Sequence, residues 1–247
     1  MNDYISLYMN HIREIIDKVE NTQKDTIKEV SKLFSKTIMN GNTLYVFGAS
    51  HAGIIAEELF YRTGGLALIN PIFNSSIMLN TRPVTLTSKM ERLEGYGTEI
   101  LRSSNIKVGD TILIHSVSGR NPTAIEMAIE AKKIGANVVA LTNIEYSSKV
   151  NSRHSCGKNL YELADIVIDN CGDFEDSSMK VEGLEQKVGP TSTVIGALIV
   201  NSIVLETVND LIKNDVEPPV LHSANVDGGD EFNKRIFEKY GNKIHYL

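Results

Sequence analysis

The chain has no tryptophan and little cysteine, proline or aromatic content: its 247 residues include two Cys, six Pro, nine Tyr and seven Phe. Without Trp, a prominent stacking platform for bases or sugars is not expected. Cys156 and Cys171 form no CxxC pair, which excludes a disulfide scaffold and favours reduced thiols in a cytoplasmic protein. His154 near Cys156 is too weak a signal to predict a metal, and we expect neither a metal nor another cofactor.

The sequence also lacks an excess of basic residues and a long apolar run. Its formal net charge is −6, which excludes a broad nucleic-acid-binding face but not a site for one small anion. The longest uncharged apolar-rich run, 191–205, is shorter than the roughly 20 residues of a membrane span. Residues 1–4 show no basic start before an apolar segment, so we expect neither a signal peptide nor a membrane partner.

Hydrophobic periodicity predicts a long N-terminal helix and then alternating strands and helices. Residues 3–39 follow a period near 3.6 that weakens at Asn21-Thr22, which indicates either two helices or one kinked helix. Further along the chain, we expect strands at 43–47, 65–70, 111–115, 137–141 and 166–168, and helices at 53–62, 89–103, 122–134, 191–212 and 231–240.

Apolar strands that alternate with helices predict an α/β fold with a five-stranded parallel sheet covered on both faces. No internal repeat or Pro/Gly/Ser-rich linker divides the sequence. We therefore expect one domain over 1–247, with a helical arm at 1–40, an α/β core at 41–215 and a tail at 216–247.

Two loops rich in small polar residues follow predicted strands, at 48–53 and 116–121. The carboxyl ends of parallel strands share one sheet edge, where ligands bind, and each loop leads into a helix N-terminus that attracts anions. The residues expected to hold a phosphate or similar oxyanion are Ser50, Ser116, Ser118, Gly119, Asn121 and Thr123. The alternative is that Ser118 or Asn121 is only a helix cap.

Neither loop is a nucleotide-binding fingerprint. Ser50 stands where the middle glycine of GxGxxG belongs, and the sequence has no GxxxxGK[ST] segment. A nucleotide-binding α/β protein is therefore a disfavoured alternative.

The segment Ser116-Val117-Ser118-Gly119-Arg120-Asn121 resembles the Ser-x-Ser-Gly-x-Thr signature of the SIS (sugar isomerase) domain. The loop at 48–53 resembles the family's earlier Gly-x-Gly-x-Ser loop, but with Ser50 and Ala52 where the family has glycine and serine. Within the family, the chain is most similar to single-domain bacterial members described as SIS-domain proteins or phosphoheptose isomerases.

This resemblance implies a three-layer α/β/α sandwich that binds a sugar phosphate and forms a homodimer with sites near the subunit interface. It implies a metal-independent aldose/ketose isomerase, acting on a sugar, amino-sugar or heptose phosphate. The alternatives that remain open are a non-catalytic phosphosugar sensor and a phosphosugar lyase or etherase.

Proton transfer between adjacent carbons needs an acid or base in the pocket. His51 is the strongest candidate because histidine titrates near neutral pH. Glu57 and Glu58 start the next helix, and only one of these adjacent residues can face the sheet edge. Both could equally lie on a solvated helix face.

Two later segments add candidates. The tail around His222 and Asn225 resembles the C-terminal segment of the glucosamine-6-phosphate synthase isomerase domain, with His222 in place of the catalytic lysine. Histidine cannot form the same Schiff base, so we expect at most an acid–base role there. Ser192 and Thr193 open the long apolar helix, where they either cap it or reach the ligand.

Overall fold

The chain folds around a twisted sheet of five parallel strands in the order β2-β1-β3-β4-β5. The computed structural model describes residues 3–247. The strands are β1 Leu44–Gly48, β2 Ile69–Pro71, β3 Thr111–His115, β4 Asn137–Thr142 and β5 Ile166–Asp169. The helices are α1 Tyr4–Met39, α2 Ile54–Leu59, α3 Thr85–Met90, α4 Tyr96–Arg102, α5 Pro122–Ile134, α6 Ile144–Ser147, α7 Ser192–Lys213 and α8 Gly229–Tyr240.

Alternation along each strand divides the interior into two hydrophobic clusters, one on each face of the sheet. On β3, Leu113 packs with α1, α2 and α7, whereas Ile112 and Ile114 pack with α4 and α5. Successive strand side chains point to opposite faces, so a fully apolar strand needs helices on both. The predicted three-layer α/β/α fold is confirmed.

The N-terminal helix runs without a break from Tyr4 to Met39, so of the two predicted alternatives the pair of helices was wrong. The Thr22 hydroxyl donates to the Lys18 carbonyl one turn earlier, and its Oγ1 lies 3.6 Å from Cys171 Sγ. A polar pair therefore interrupts the apolar pattern without interrupting the helix. The buried residues of α1 pack along α7, which makes this arm part of the core.

Three predicted elements have different bounds. The segment 89–103 is divided because Gly95 adopts a left-handed conformation, with φ of 88°, before α4. The helix predicted at 53–62 starts with a 3₁₀ turn at Ser50–Gly53 and ends at Leu59. The strand predicted at 65–70 is shorter, because Leu66 pairs in antiparallel fashion with Val220 of the tail.

Helix α7 is long and apolar enough by composition to cross a membrane, with a mean hydropathy of 1.5 over its most apolar 18 residues. Its buried residues pack in the same cluster as α1 and the sheet. The apolar composition therefore fits a helix of the protein core.

Candidate functional site

The loops after β1 and β3 lie side by side at the carboxyl edge of the sheet. A Cβ on Gly48 would lie 2.3 Å from the Ala52 carbonyl oxygen, so only glycine allows the first loop to turn this tightly. Gly119 in the second loop has φ of +60°, and a Cβ there would lie 2.8 Å from Ser147 Oγ. Both loops therefore depend on a glycine at these positions to follow their paths.

A cavity of about 200 Å³ lies between these loops and the N-terminus of α5. The predicted site residues that line this cavity are Ser50, His51, Ser116, Ser118, Asn121 and Thr123. Residues that were not predicted also line it, among them Glu91, His115, Tyr146 and Asp176.

The second loop offers a set of free donors. Within residues 3–247, no protein group accepts a hydrogen bond from the backbone N–H of Ser118, Gly119 or Arg120, nor from the hydroxyls of Ser116 and Ser118. Consecutive free N–H groups beside a helix N-terminus bind anions. The loop therefore has the chemistry of an oxyanion site.

Asn121 and Thr123 use their side chains within the protein. Asn121 makes no cap bond to α5, which excludes the helix-cap alternative for this residue. Its Nδ2 donates to Glu91 Oε2 at 2.8 Å, and its Oδ1 accepts from Arg153 Nη1 at 2.9 Å. The Thr123 hydroxyl donates to the Met90 carbonyl at 3.2 Å. These two side chains shape the cavity wall: the Thr123 hydroxyl is already engaged, and Asn121 keeps only the second N–H of its Nδ2 amide as a free donor.

Glu91 joins the two loops. The Ser50 hydroxyl donates to its Oε1 at 2.5 Å, while Asn121 donates to its Oε2. The Thr123 N–H donates to the Glu91 carbonyl at 3.2 Å, which holds the segment after α3 against α5. Sequence reasoning missed Glu91, because it belongs to a stretch whose pattern indicates helix and not a site.

His115 closes the base of the cavity. Its Nδ1 lies 3.0 Å from the Ala52 carbonyl oxygen, so Nδ1 carries the proton and Nε2 keeps a lone pair. Nε2 is buried without a partner in the described chain. Burial lowers the pKa of His115, against smaller opposing effects of the Ala52 carbonyl and Asp176, so the ring is neutral. A histidine ending an apolar strand was the signal that could have identified it.

Asp176 closes the N-terminus of α7. Its Oδ1 accepts from the N–H groups of Thr191 and Ser192 at 3.0 and 2.8 Å, and its Oδ2 accepts from the Ser192 hydroxyl at 2.6 Å. Ser192 therefore bonds to a protein carboxylate, and Thr193 does not line the cavity. No periodic pattern surrounds Asp176, so this contact had no signal in the sequence.

Glu57 and Glu58, the two adjacent carboxylates of α2, have different surroundings. Glu57 lines an adjoining cavity of about 240 Å³, and Ser50 lines both cavities. Glu58 faces away from both, pairing with Arg62 and accepting from Asn201 Nδ2 at 2.7 Å. Of the adjacent pair, Glu57 is the one beside the site.

His222 and Asn225 do not line this cavity within one chain, and their predicted role in the site stays a prediction. The tail before them bonds to the segment that enters β2, with the Ala67 N–H donating to the Pro219 carbonyl at 2.8 Å. The His222 ring stacks on Phe232 at 3.7 Å between centroids. The tail pairs with the segment that precedes β2, and this pairing places His222 near the amino ends of the strands.

Comparisons with known proteins agree with this geometry. A family model for the SIS domain matches residues 7–143, and the chain belongs to the SIS domain family. Its relatives include UPF0309 proteins of Shouchella clausii and Oceanobacillus iheyensis, each 50% identical over 244 residues and covered over 99% of both chains. The predicted resemblance to the SIS domain family, which rested on the loop at 116–121 (the serine loop), is thereby confirmed.

Solved structures share the fold at low sequence identity. A phosphoheptose isomerase from Francisella tularensis superposes with a TM-score of 0.54 at 17% identity, covering 84% of this chain and 98% of that one. An Escherichia coli protein solved in complex with a sugar phosphate has a TM-score of 0.51 at 14% identity, covering 86% and 94%. At these identities the likeness shows the architecture alone.

Proposed function

We propose that the protein binds a sugar phosphate, with the phosphate held by the loop at 116–121. The observation that carries this proposal is the set of free donors at Ser116, Ser118 and the following backbone amides, at the N-terminus of α5. The E. coli protein bound to a sugar phosphate has the same fold, which is consistent with a phosphosugar ligand.

We further propose that the bound sugar phosphate is isomerised without a metal. Such a reaction moves a proton between adjacent carbons, and His51 is a titratable side chain that lines the cavity and is exposed to solvent. Glu57, which lines the adjoining cavity, is the candidate carboxylate for a second proton transfer.

A non-catalytic sensor is the second candidate, and one observation favours it. Both oxygens of Glu91, a carboxylate of the cavity wall, are engaged by Ser50 and Asn121. A carboxylate that accepts two such bonds is poorly placed to remove a proton from a ligand. In a sensor, the same loops bind and no group needs to transfer protons.

A thermal-shift series tests the binding proposal. Hexose, hexosamine and heptose phosphates should raise Tm by mass action, and the unphosphorylated sugars should not. Ser118→Ala should remove the shift. The matched control is Ser202→Ala, which loses a hydroxyl that donates only within α7, to the Leu198 carbonyl. A flat response to every phosphate would overturn the proposal.

His51→Ala then separates the enzyme from the sensor. For an isomerase, the variant should keep the phosphate-dependent Tm shift and lose turnover of the stabilising sugar phosphate, followed by NMR. For a sensor, the wild-type protein should show no turnover at all, and His51→Ala should change affinity alone.

We also propose a homodimer formed through α7. Val194, Leu205 and Ile212 are 45%, 71% and 59% exposed, and their spacings of 11 and 7 residues place them on one face of the helix. A second copy of α7 would cover this apolar seam. Leu205→Glu should convert a dimer to a monomer in analytical ultracentrifugation, and a monomeric wild type would contradict the proposal.

We propose a cytoplasmic location as well, which is consistent with the free thiols of Cys156 and Cys171.

A further inference from the structure

Three arginines lie together next to Asn121, outside the lining of the cavity itself. Arg120 belongs to the serine loop and Arg92 directly follows Glu91. The Arg153 N–H donates to the Arg120 carbonyl at 2.9 Å, which brings a third arginine from the loop after α6 to the same place. Three separate segments thus contribute one arginine each.

The side chains of two of these arginines are held in position. Arg153 Nη1 donates to Asn121 Oδ1 at 2.9 Å, and Arg120 Nε donates to the Asn151 carbonyl at 2.9 Å. Each bond uses one N–H of a guanidinium that has five, so most donors stay available. Through its Oδ1, Asn121 anchors an arginine beside the cavity.

These arginines lack the carboxylate partners that normally accompany clustered charges. Within residues 3–247, none of Arg92, Arg120 and Arg153 has a carboxylate oxygen within 4.0 Å. The neighbouring acids are bonded elsewhere: Glu91 to Ser50 and Asn121, and Glu94 to the N–H and hydroxyl of Ser155.

The charges are close enough to affect one another. The pKa of Arg153 is lowered, first by partial burial and then by the positive charges of Arg120 and Arg92, against a smaller effect of Tyr146 and Glu91. Positive charges that lie together without carboxylate partners repel one another in the protein without ligand, and this repulsion is relieved once an anion binds. This is the electrostatic signature of a ligand site rather than of a structural ion-pair network.

We propose that Arg92, Arg120 and Arg153 form a second anion subsite, so that the ligand carries two anionic groups. One is the phosphate held by the free amides and hydroxyls of the serine loop, and the other is a second phosphate or a carboxylate facing the arginines. This inference rests on the proposed phosphosugar function and narrows its substrate class to sugar bisphosphates and phosphorylated sugar acids.

Isothermal titration calorimetry with matched pairs of ligands tests the subsite. Fructose 6-phosphate is compared with fructose 1,6-bisphosphate, glucose 6-phosphate with 6-phosphogluconate, and inorganic phosphate with pyrophosphate. In at least one pair, the ligand with two anionic groups should bind about tenfold or more tightly, because charge-assisted bonds to arginine are strong. The preference should weaken as salt is raised.

Arginine variants then test whether these side chains cause the preference for ligands with two anionic groups. Arg153→Ala and Arg92→Ala should each reduce it to about twofold while leaving the affinity for the partner with one anionic group within about twofold of wild type. Arg235→Ala is the matched control, since its guanidinium lies over the Phe232 ring in the tail, and it should leave the preference intact.

The outcomes separate the two proposals. Equal affinities within every pair overturn the second subsite and leave phosphosugar binding in place. A loss of monophosphate affinity in Arg153→Ala also overturns it, because the arginines then belong to the phosphate site itself. If none of the six ligands binds, the subsite fails, and if no hexosamine or heptose phosphate raises Tm either, the proposed function fails with it.

Discussion

Glu91 Oε2 accepts a hydrogen bond from Asn121 Nδ2 at 2.8 Å, and this contact joins the segment after α3 to the residue before α5. Because Ser50 donates to the other oxygen, one carboxylate sets the distance between the two loops of the cavity. The cavity therefore has its shape before any ligand enters.

Removal of the Glu91 carboxylate should release both loops. We expect Glu91→Ala to lower the free energy of unfolding by about 1–3 kcal/mol, since two donors lose a charged acceptor. Glu91→Gln should cost less, because its remaining carbonyl oxygen still accepts from Ser50. Urea unfolding measures both, with exposed Glu231→Ala as the control. Wild-type stability of Glu91→Ala would show that the carboxylate does not hold the loops.

Gly119→Ala tests the close approach in the serine loop. Any L-residue at φ of +60° costs about 1–2 kcal/mol, and the added Cβ would also lie 2.8 Å from Ser147 Oγ. Gly183→Ala is the matched control, with φ of +83° and no atom within 4 Å of the added Cβ. We expect Gly119→Ala to be the less stable variant and to lose the phosphate-dependent Tm shift, whereas Gly183→Ala keeps it. Equal losses of stability in the two variants would argue against the predicted steric conflict.

His115 should make the protein less stable in mild acid. Its pKa is lowered by burial below the ordinary value of 6.5, so the unfolded chain takes up the proton first as pH falls. The stability from the neutral ring is therefore complete above about pH 6.5 and is lost below it, with a slope of up to about 1.4 kcal/mol per pH unit.

The variant His115→Asn isolates this contribution. Its side-chain amide can still donate to the Ala52 carbonyl, but it cannot be protonated. Across pH 5–8, we expect the Tm of the variant to fall less steeply on the acid side than that of the wild type. Parallel curves would mean that His115 is not the group responsible.

Asp176 should contribute to stability through the N-terminus of α7. Asp176→Ala should cost about 0.5–2 kcal/mol, the range for loss of a helix cap. Asp176→Asn should cost less, because its amide oxygen still accepts from the Thr191 and Ser192 N–H groups and asparagine tolerates the left-handed φ of 55° found here. Thermal unfolding of the two variants gives the comparison, and Asp176→Asn no more stable than Asp176→Ala would count against the cap.

The sequence was sufficient for the architecture because the fold is determined by short periodic patterns. Four of the five strands and the long helix α7 could be predicted within about two residues, since each is a run with a clear period. The 48–53 and 116–121 loops were found because glycine and serine at the end of a strand have a known structural meaning.

The rest of the site depends on contacts between distant segments. Glu91 comes from a stretch predicted as helix, 41 residues from Ser50, and Asp176 comes from an irregular segment. The choice between Glu57 and Glu58 depends on where Arg62 and Asn201 lie, which local pattern does not specify. The position of His222 depends on the tail pairing with the segment before β2, a topological fact with no local signature.

Two helices, α5 and α7, begin at the edge of the sheet where the cavity lies, and they differ in one respect. Asp176 already neutralises the start of α7, whereas no side chain within residues 3–247 caps the start of α5. The cavity is consequently polar along its length, with an anion-accepting end and an end already filled by a carboxylate. We therefore expect a ligand to bind with its phosphate at the α5 end, away from Asp176, and this orientation decides which of its atoms face His51.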